Sequence, residues 1–294
     1  IAMRCLVGRC WQLIQWFWYP GAAANDEEIA MSTVDGYAPG IPCWVDLMAS
    51  DASAAAEFYS SLFGWNCVAG GEAVGGYIMA DIGGLPVAGI GQKPADAPFP
   101  SMWTTYVSTA DVDATLAAVV AAGGTPMMPA MDIVDGDTKH GRMAVFADPT
   151  GAALGVWQAG EHRGALRVNE PGALTWNELM TRDPEASKAF FADVFGWTYQ
   201  PMDMGGAEYN IVHVDGGSGD GVGGIMPMPS EVPDMVPNYW GVYFAVDNTD
   251  ATAEAAVDAG ASLTYPPMDI GVGRTAGLAD PQGANFAILG PTPE

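Results

Sequence analysis

The sequence predicts an α+β protein of two homologous domains in tandem, each a mixed or antiparallel sheet with its helices on one face. Three observations predict it. An internal repeat covers most of the chain, the same order of strand and helix signals recurs in each copy, and matched turn motifs close each copy.

The repeat begins at Cys43-Trp44-Val45-Asp46-Leu47-Met48, which is matched by Thr175-Trp176-Asn177-Glu178-Leu179-Met180, Trp44 and Trp176 lying 132 positions apart. Phe63-Gly64-Trp65 meets Phe195-Gly196-Trp197 at the same spacing. A loop insertion then moves the offset to 137, so that Trp103 and Tyr106 meet Trp240 and Tyr243, and Met131-Asp132-Ile133 meets Met268-Asp269-Ile270. The insertion at 135–139 of the first copy restores 132. Gly141-Arg142 then meets Gly273-Arg274, and Asp148-Pro149-Thr150-Gly151 meets Asp280-Pro281-Gln282-Gly283. The implied domains are 40–158 and 172–290, joined by a polar segment at 159–171.

Within the first copy, a strand at 42–48 precedes a helix from Asp51 to about Phe63. Asp51 supplies the cap, Phe58, Tyr59, Leu62 and Phe63 the apolar stripe, and Gly64 the stop. In the second copy, Asp183-Pro184-Glu185 puts an acceptor at the cap and proline in the first turn. Glycine-rich strand segments follow at 75–82 and 86–91. A strand at 103–108 leads to a helix at 111–122 stopped by Gly123-Gly124, and strands at 127–133, 142–147 and 153–158 close the copy. The order is βαβββ–βαβββ. The two D-P-x-G motifs are turn chemistry, with Asp at the first position, Pro at the second and Gly at the fourth.

Residues 1–39 read as an extension, disordered or artefactual, outside the fold. Arg4, Arg9, the apolar run at 11–19 and Ala22-Ala23-Ala24 loosely mimic a secretory signal, but Gln12 and Gln15 interrupt the run. The formal net charge of −25 repels nucleic acid and anionic membranes, and no basic patch offsets it. No run reaches the roughly 18 consecutive apolar residues of a membrane helix. Four cysteines, of which Cys5 and Cys10 fall in the extension, make no disulfide framework, so a reduced cytoplasm is expected.

The run from Asp51 through Phe58-Tyr59 to Phe63-Gly64-Trp65, with Asp148-Pro149-Thr150-Gly151-Ala152 late in the copy, resembles the vicinal oxygen chelate (VOC) superfamily. This is the glyoxalase, bleomycin resistance and extradiol dioxygenase fold. Trp44-Val45-Asp46-Leu47, the run from Asp148 to Gln158 and Trp176-Asn177-Glu178-Leu179 look closest to actinobacterial tandem glyoxalase-like proteins, some described as hydroxylases. The resemblance implies paired βαβββ modules forming a cup-shaped sheet with helices outside. In catalytic members it implies one divalent metal, held by residues of the first and last strands. The matching positions here are Trp44 and Trp176, seven before each helix cap, and Gly155 and Ala287, seven after each D-P-x-G aspartate. Indole, methyl and hydrogen bind no metal, so neither a metal nor another cofactor is expected in either copy. The three histidines, His140, His162 and His213, are scattered, and the Asp132, Asp135, Asp137 spacing lacks the terminal glutamate of a calcium loop.

On a strand, residues i, i+2 and i+4 share a face. Trp44, Asp46 and Met48 therefore point together, as do Trp176, Glu178 and Met180. If Trp44 holds the ligand position, this face lines the cup. Trp103, Tyr106, Trp240 and Tyr243 sit on the strand expected beside it, and Arg142 and Arg274 recur on a late strand from which they could reach inward. These ten aromatic, methionine and arginine residues form the candidate ligand-binding set, with Asp46 and Glu178 as candidate proton carriers. One reading is a pocket for a flat apolar molecule, stacked by indole, moulded by Met and oriented by a carboxyl whose pKa the apolar wall raises. The other is a filled core, with Asp46 and Glu178 in buried ion pairs with Arg142 and Arg274.

The expectation is a metal-independent binder of a small aromatic or hydrophobic metabolite, in a resistance, sequestration or tailoring role. The rivals are a lyase, isomerase or hydroxylase-type enzyme using Asp46 or Glu178 to move a proton, and a non-catalytic interaction or signalling protein. Expected partners are a small-molecule ligand, no nucleic acid and no membrane. The chain is expected to be a monomer with its domains paired intramolecularly, or a homodimer.

Overall fold

The computed structural model describes residues 33–204, 207–214, 216 and 220–293. The apolar run at 11–19, Cys5 and Cys10 lie outside the described residues.

The first copy folds as β1 (Pro42–Ala49), α1 (Ala52–Phe63), β2 (Asn66–Ala69), β3 (Ile78–Ile82), β4 (Leu85–Gln92), β5 (Met102–Ser108), α2 (Val112–Ala121), β6 (Thr125–Asp135), β7 (Thr138–Ala147) and β8 (Ala153–Ala159). The second repeats it as β9 (Leu174–Thr181), α3 (Pro184–Phe195), β10 (Thr198–Asp203), β11 (Glu208–His213), β12 (Gly223–Pro227), β13 (Tyr239–Ala245), α4 (Thr249–Asp258), β14 (Ser262–Asp269), β15 (Arg274–Ala279) and β16 (Asn285–Gly290). The short outer strand β2 carries little apolar patterning, and the sequence pattern separated neither it nor its counterpart β10. No helix of the described residues is long and apolar enough to cross a membrane.

Each copy is one curled eight-stranded sheet, in the orders β2-β3-β4-β1-β5-β8-β7-β6 and β10-β11-β12-β9-β13-β16-β15-β14. β1 and β5 pair antiparallel at the centre, as do β9 and β13, and join the two βαβββ modules of each copy. The caps are as the sequence dictates. Asp51 accepts from the Ala54 amide at 3.0 Å, Asp183 from that of Ala186 at 3.0 Å, and Gly64 (φ 72°) and Gly196 (φ 70°) end the helices.

The helix-side cores are shared between the copies. One is built on α1, β1 and β4 of the first copy together with Val242, Phe244, Leu278, Phe286 and Ile288 of the second. The other joins Val107, Phe146, Leu154 and Val156 of the first copy to Phe190, Phe191, Trp197 and Trp240 of the second. Hydrogen bonds cross in reciprocal pairs. Trp65 Nε1 donates to the Gly172 carbonyl at 2.7 Å, and Trp197 Nε1 to that of Gly40 at 2.8 Å. Tyr59 Oη donates to Asp280 at 3.2 Å, and Ser187 Oγ to Asp148 at 2.9 Å. The F-G-W tryptophans and D-P-x-G aspartates thus clasp one copy to the other, which is why both motifs occur twice.

Residues 33–39, which the sequence reading left in the extension, pack on the fold. The Val34 amide donates to Leu166 O, and Tyr37 Oη to Ala165 O at 2.7 Å. The connecting segment supplies both acceptors.

Candidate functional site

Along β1, Val45, Leu47 and Ala49 pack on the helix side. The alternation of the strand then turns Trp44, Asp46 and Met48 to the concave face, and in β9 it does the same for Trp176, Glu178 and Met180. Register places Asp46 between Gly89 of β4 and Thr104 of β5, and Glu178 between Gly224 of β12 and Gly241 of β13.

Each carboxyl is buried and held by tyrosines. Trp44 Nε1 donates to Tyr77 Oη at 3.1 Å, and Tyr77 Oη and Tyr106 Oη donate to Asp46 Oδ2 at 3.4 and 3.1 Å. In the second copy, Trp176 Nε1 donates to Tyr209 Oη at 2.7 Å and Tyr243 Oη to Glu178 Oε1 at 3.0 Å, while Tyr209 also hydrogen-bonds Glu178. Burial pushes Asp46 up to about 7, against the pull of the two tyrosine hydroxyls, and Asp46 Oδ1 is buried without a partner. Burial raises Glu178 as well, opposed by Tyr209 and Tyr243. Burial first, then the adjacent carboxylate, raises all four tyrosines well above their ordinary value, so they remain hydroxyl donors. A carboxyl in this setting is able to carry a proton near neutral pH.

Four sequence-chosen residues lie elsewhere. Trp103 and Trp240 face the helices, not the cup. Trp103 packs edge-on to Tyr59 and Phe244, and Trp240 to Phe191 and Trp197. They are one residue out of phase with Tyr106 and Tyr243, and alternation sends them to the opposite face. Arg142 and Arg274 make no ion pair with Asp46 or Glu178. Arg142 pairs with Asp113 at 3.0 Å and Asp132 at 3.3 Å, and Arg274 with Asp250 at 2.6 Å and Asp269 at 2.9 Å. These pairs tie the late strands to the second helix on the outside, and they commit Asp132 away from any cation loop. The structure brings together Trp44, Asp46, Met48 and Tyr106 in one cup, and Trp176, Glu178, Met180 and Tyr243 in the other.

Sequence reasoning missed Tyr77 and Tyr209, although their own spacing of 132 marks them as a repeated pair. It also missed His162, whose ring meets Trp44 edge-on at 4.4 Å and Trp157 at 5.5 Å. Burial, and then His140, lower His162 to about 4, so it is a neutral imidazole.

The residues present do not fit the metal that the fold family implies. A Cβ on Gly155, at one expected ligand position, would collide with the ring of Tyr106, so that ring occupies the space a glutamate would need. Among the described residues, no three His, Cys, Asp or Glu side chains stand close enough together to hold an ion. Glycine is likewise required under Tyr77: a Cβ on Gly89 would strike its hydroxyl. We expect Gly89→Ala to displace Tyr77 from Asp46 and lower stability by about 1–3 kcal/mol, measured by urea denaturation. An unchanged midpoint would show that Tyr77 is not pinned there.

A doubled cup of paired βαβββ modules, with carboxyl–tyrosine networks in place of a chelate, defines a glyoxalase-fold protein without the family's metal ligands. The chain belongs to the Glyoxalase/Bleomycin resistance protein/Dioxygenase superfamily, whose family model matches residues 43–156 and again 173–288. A Mycobacterium tuberculosis protein named "Putative glyoxylase CFP32" is 48% identical over 269 residues, covering 88% of this chain and 97% of that protein. The anthracycline biosynthesis protein DnrV of Streptomyces peucetius is 36% identical over 268 residues, covering 86% and 94%. Among solved structures, the Mn(II)-bound glyoxalase from Novosphingobium aromaticivorans superposes with a TM-score of 0.60 at 18% identity, over 87% of this chain and 83% of that one. At that identity it speaks for the fold alone.

Proposed function

We propose that this chain binds a planar aromatic metabolite in its Trp- and Tyr-lined concave sheet, without a metal, and that a buried carboxyl orients the ligand. The observation that carries this is the Trp–Tyr–carboxyl–Tyr network, which stands in each copy where the family's chelate would be. Indole and phenol rings offer stacking area, and methionine conforms to irregular ligands. The name of the Streptomyces relative, an anthracycline biosynthesis protein, supports a fused aromatic ligand carrying oxygen substituents. The role is sequestration, resistance or tailoring of such a compound. Cys43 and Cys67 are free, which supports work in a reduced cytoplasm, and the shared cores support a monomer paired within itself.

One observation favours an enzymatic reading beside it. Asp46 pushed up to about 7 and Glu178 raised in the same sense are suited to shuttle a proton in an isomerase or lyase reaction. The name of the mycobacterial relative, a glyoxylase, points the same way.

The test is titration with alizarin (1,2-dihydroxyanthraquinone), followed by tryptophan quenching and the dye's visible spectrum. Saturable binding with a raised melting temperature is expected. A flat titration across a panel of planar aromatics would overturn the reading in favour of an interaction protein. If turnover of a bound aromatic is found, Glu178→Gln and Asp46→Asn separate the roles: lost turnover with retained binding identifies the proton carrier.

A further inference from the structure

The two cups differ in how they are filled. In the first, Trp44, Tyr106 and Trp157 are 3–6% exposed and form a packed cluster against which Tyr37, Met79, Met143 and Val145 lie. Gly141 lies under the Trp157 ring, Gly155 under Tyr106, and Gly91 under the Met48 sulfur at 2.9 Å from an added Cβ. His162 closes on Trp44 from the connecting segment. Asp46 Oδ1 is both unpartnered and sealed from solvent.

The second cup replaces these fillers with smaller groups. At the repeat offset of 132, Trp157 becomes Leu289, Met143 becomes Thr275 and Val145 becomes Gly277. Trp176 and Tyr243 are only half-buried where Trp44 and Tyr106 are buried, and Tyr239 is exposed, while Glu178 beneath them remains buried. Two positions run the other way. At the offset of 137, Met102 becomes Tyr239 and Met128 becomes Tyr265. Tyr265 shares a hydrogen bond with Thr275 at 3.2 Å and interacts with the Tyr243 hydroxyl. The floor of this cup carries no side chain at Gly241, opposite Glu178 in the register. A Cβ built there would meet Glu178 O at 3.6 Å and the rings of Tyr243 and Tyr239 at 3.7 and 3.8 Å, ordinary contact distances that force nothing to move. Two phenol rings therefore flank Gly241, with a buried carboxyl beside it.

We infer that the ligand site is the second cup alone, and that its face at Gly241 takes a planar hydroxylated or quinonoid ring, with Tyr239 and Tyr265 as the residues that select for oxygen substituents. The first cup is its packed counterpart and holds the fold. The physical reason is complementarity: aromatic walls match the ring faces, and tyrosine hydroxyls with Glu178 match oxygens at the ring edge, where methionine in the first cup offers none. This assignment rests on the aromatic-binding reading above.

The experiment is alizarin binding to the full chain and three variants. Wild type is expected to bind one equivalent. Gly241→Leu, placed on ordinary strand backbone where an added Cβ meets its neighbours at ordinary contact distances, is expected to weaken binding at least tenfold. Tyr239→Met/Tyr265→Met, which installs the first cup's own residues, is expected to weaken alizarin more than unsubstituted anthracene, and does not depend on the leucine variant folding. His162→Leu, in the first cup, is expected to bind within twofold of wild type. Two equivalents bound, full affinity in both second-cup variants, or a tenfold loss in His162→Leu would overturn the assignment while leaving aromatic binding intact. Absence of binding by wild type would overturn the aromatic reading itself, and this assignment with it.

Discussion

Phe244→Ala will destabilise the protein by about 3–5 kcal/mol, the range for removing a large aromatic from a core that cannot collapse around the loss. Phe244 is 0% exposed and belongs to the second copy, yet its ring packs on Phe63, Trp65 and Trp103 of the first, at centroid distances of 5.1, 5.4 and 5.2 Å. Phe286 of its own copy lies further off, at 6.3 Å. The cavity therefore opens between the copies, and both should unfold in one transition at a lower urea concentration. Far-UV circular dichroism and tryptophan fluorescence, read on the same samples, check this. Two separated transitions, with only the second copy weakened, would mean that the copies have independent cores.

Asp46→Asn will flatten the dependence of stability on pH. Burial raises the Asp46 carboxyl from its unfolded value near 3.8 to about 7. Between those values the native state binds a proton that the unfolded chain does not. Stability from this group is therefore present below about pH 4, falls as pH rises through the window, and is fully lost above about pH 7. At about 1.4 kcal/mol per unit, the loss is on the order of 4 kcal/mol between pH 4 and pH 8. Asparagine cannot ionise, so the variant should gain on the wild type as pH rises, with the difference largest near pH 8. Urea midpoints at four pH values decide it, and parallel curves for the two proteins would show that Asp46 titrates normally.

The legible part of the site was its alternation. The spacing of Trp44, Asp46 and Met48, and of Trp176, Glu178 and Met180, fixed which residues share a face. The illegible part was cross-strand. Tyr77, just ahead of β3, and Tyr209, on β11, reach their carboxyls across an intervening strand, and nothing in a one-dimensional pattern says which distant tyrosine lies over which glycine. Arg142 and Arg274 misled because a repeated arginine and a repeated carboxyl invite pairing. The nearer acids Asp113, Asp132, Asp250 and Asp269 capture them on the outer side at no cost in burying charge. Trp103 and Trp240 misled because their match to each other is real but belongs to the helix-side core.

By itself the sequence determined the duplication, the βαβββ order, the helix caps and the absence of ligand-type side chains at the family's chelating positions. Caps, turns and strand alternation depend on residues a few positions apart, so the local pattern carries them. Only the tertiary structure decided that each core is built from both copies, that tyrosines hold the carboxyls, and that Trp44 and Tyr106 of one cup are buried while Trp176 and Tyr243 of the other are half-exposed. Those outcomes depend on which side chains from distant strands fill a common volume. The exchange of Trp157 for Leu289, or of Met102 for Tyr239, acquires meaning only once the curled sheet brings them face to face.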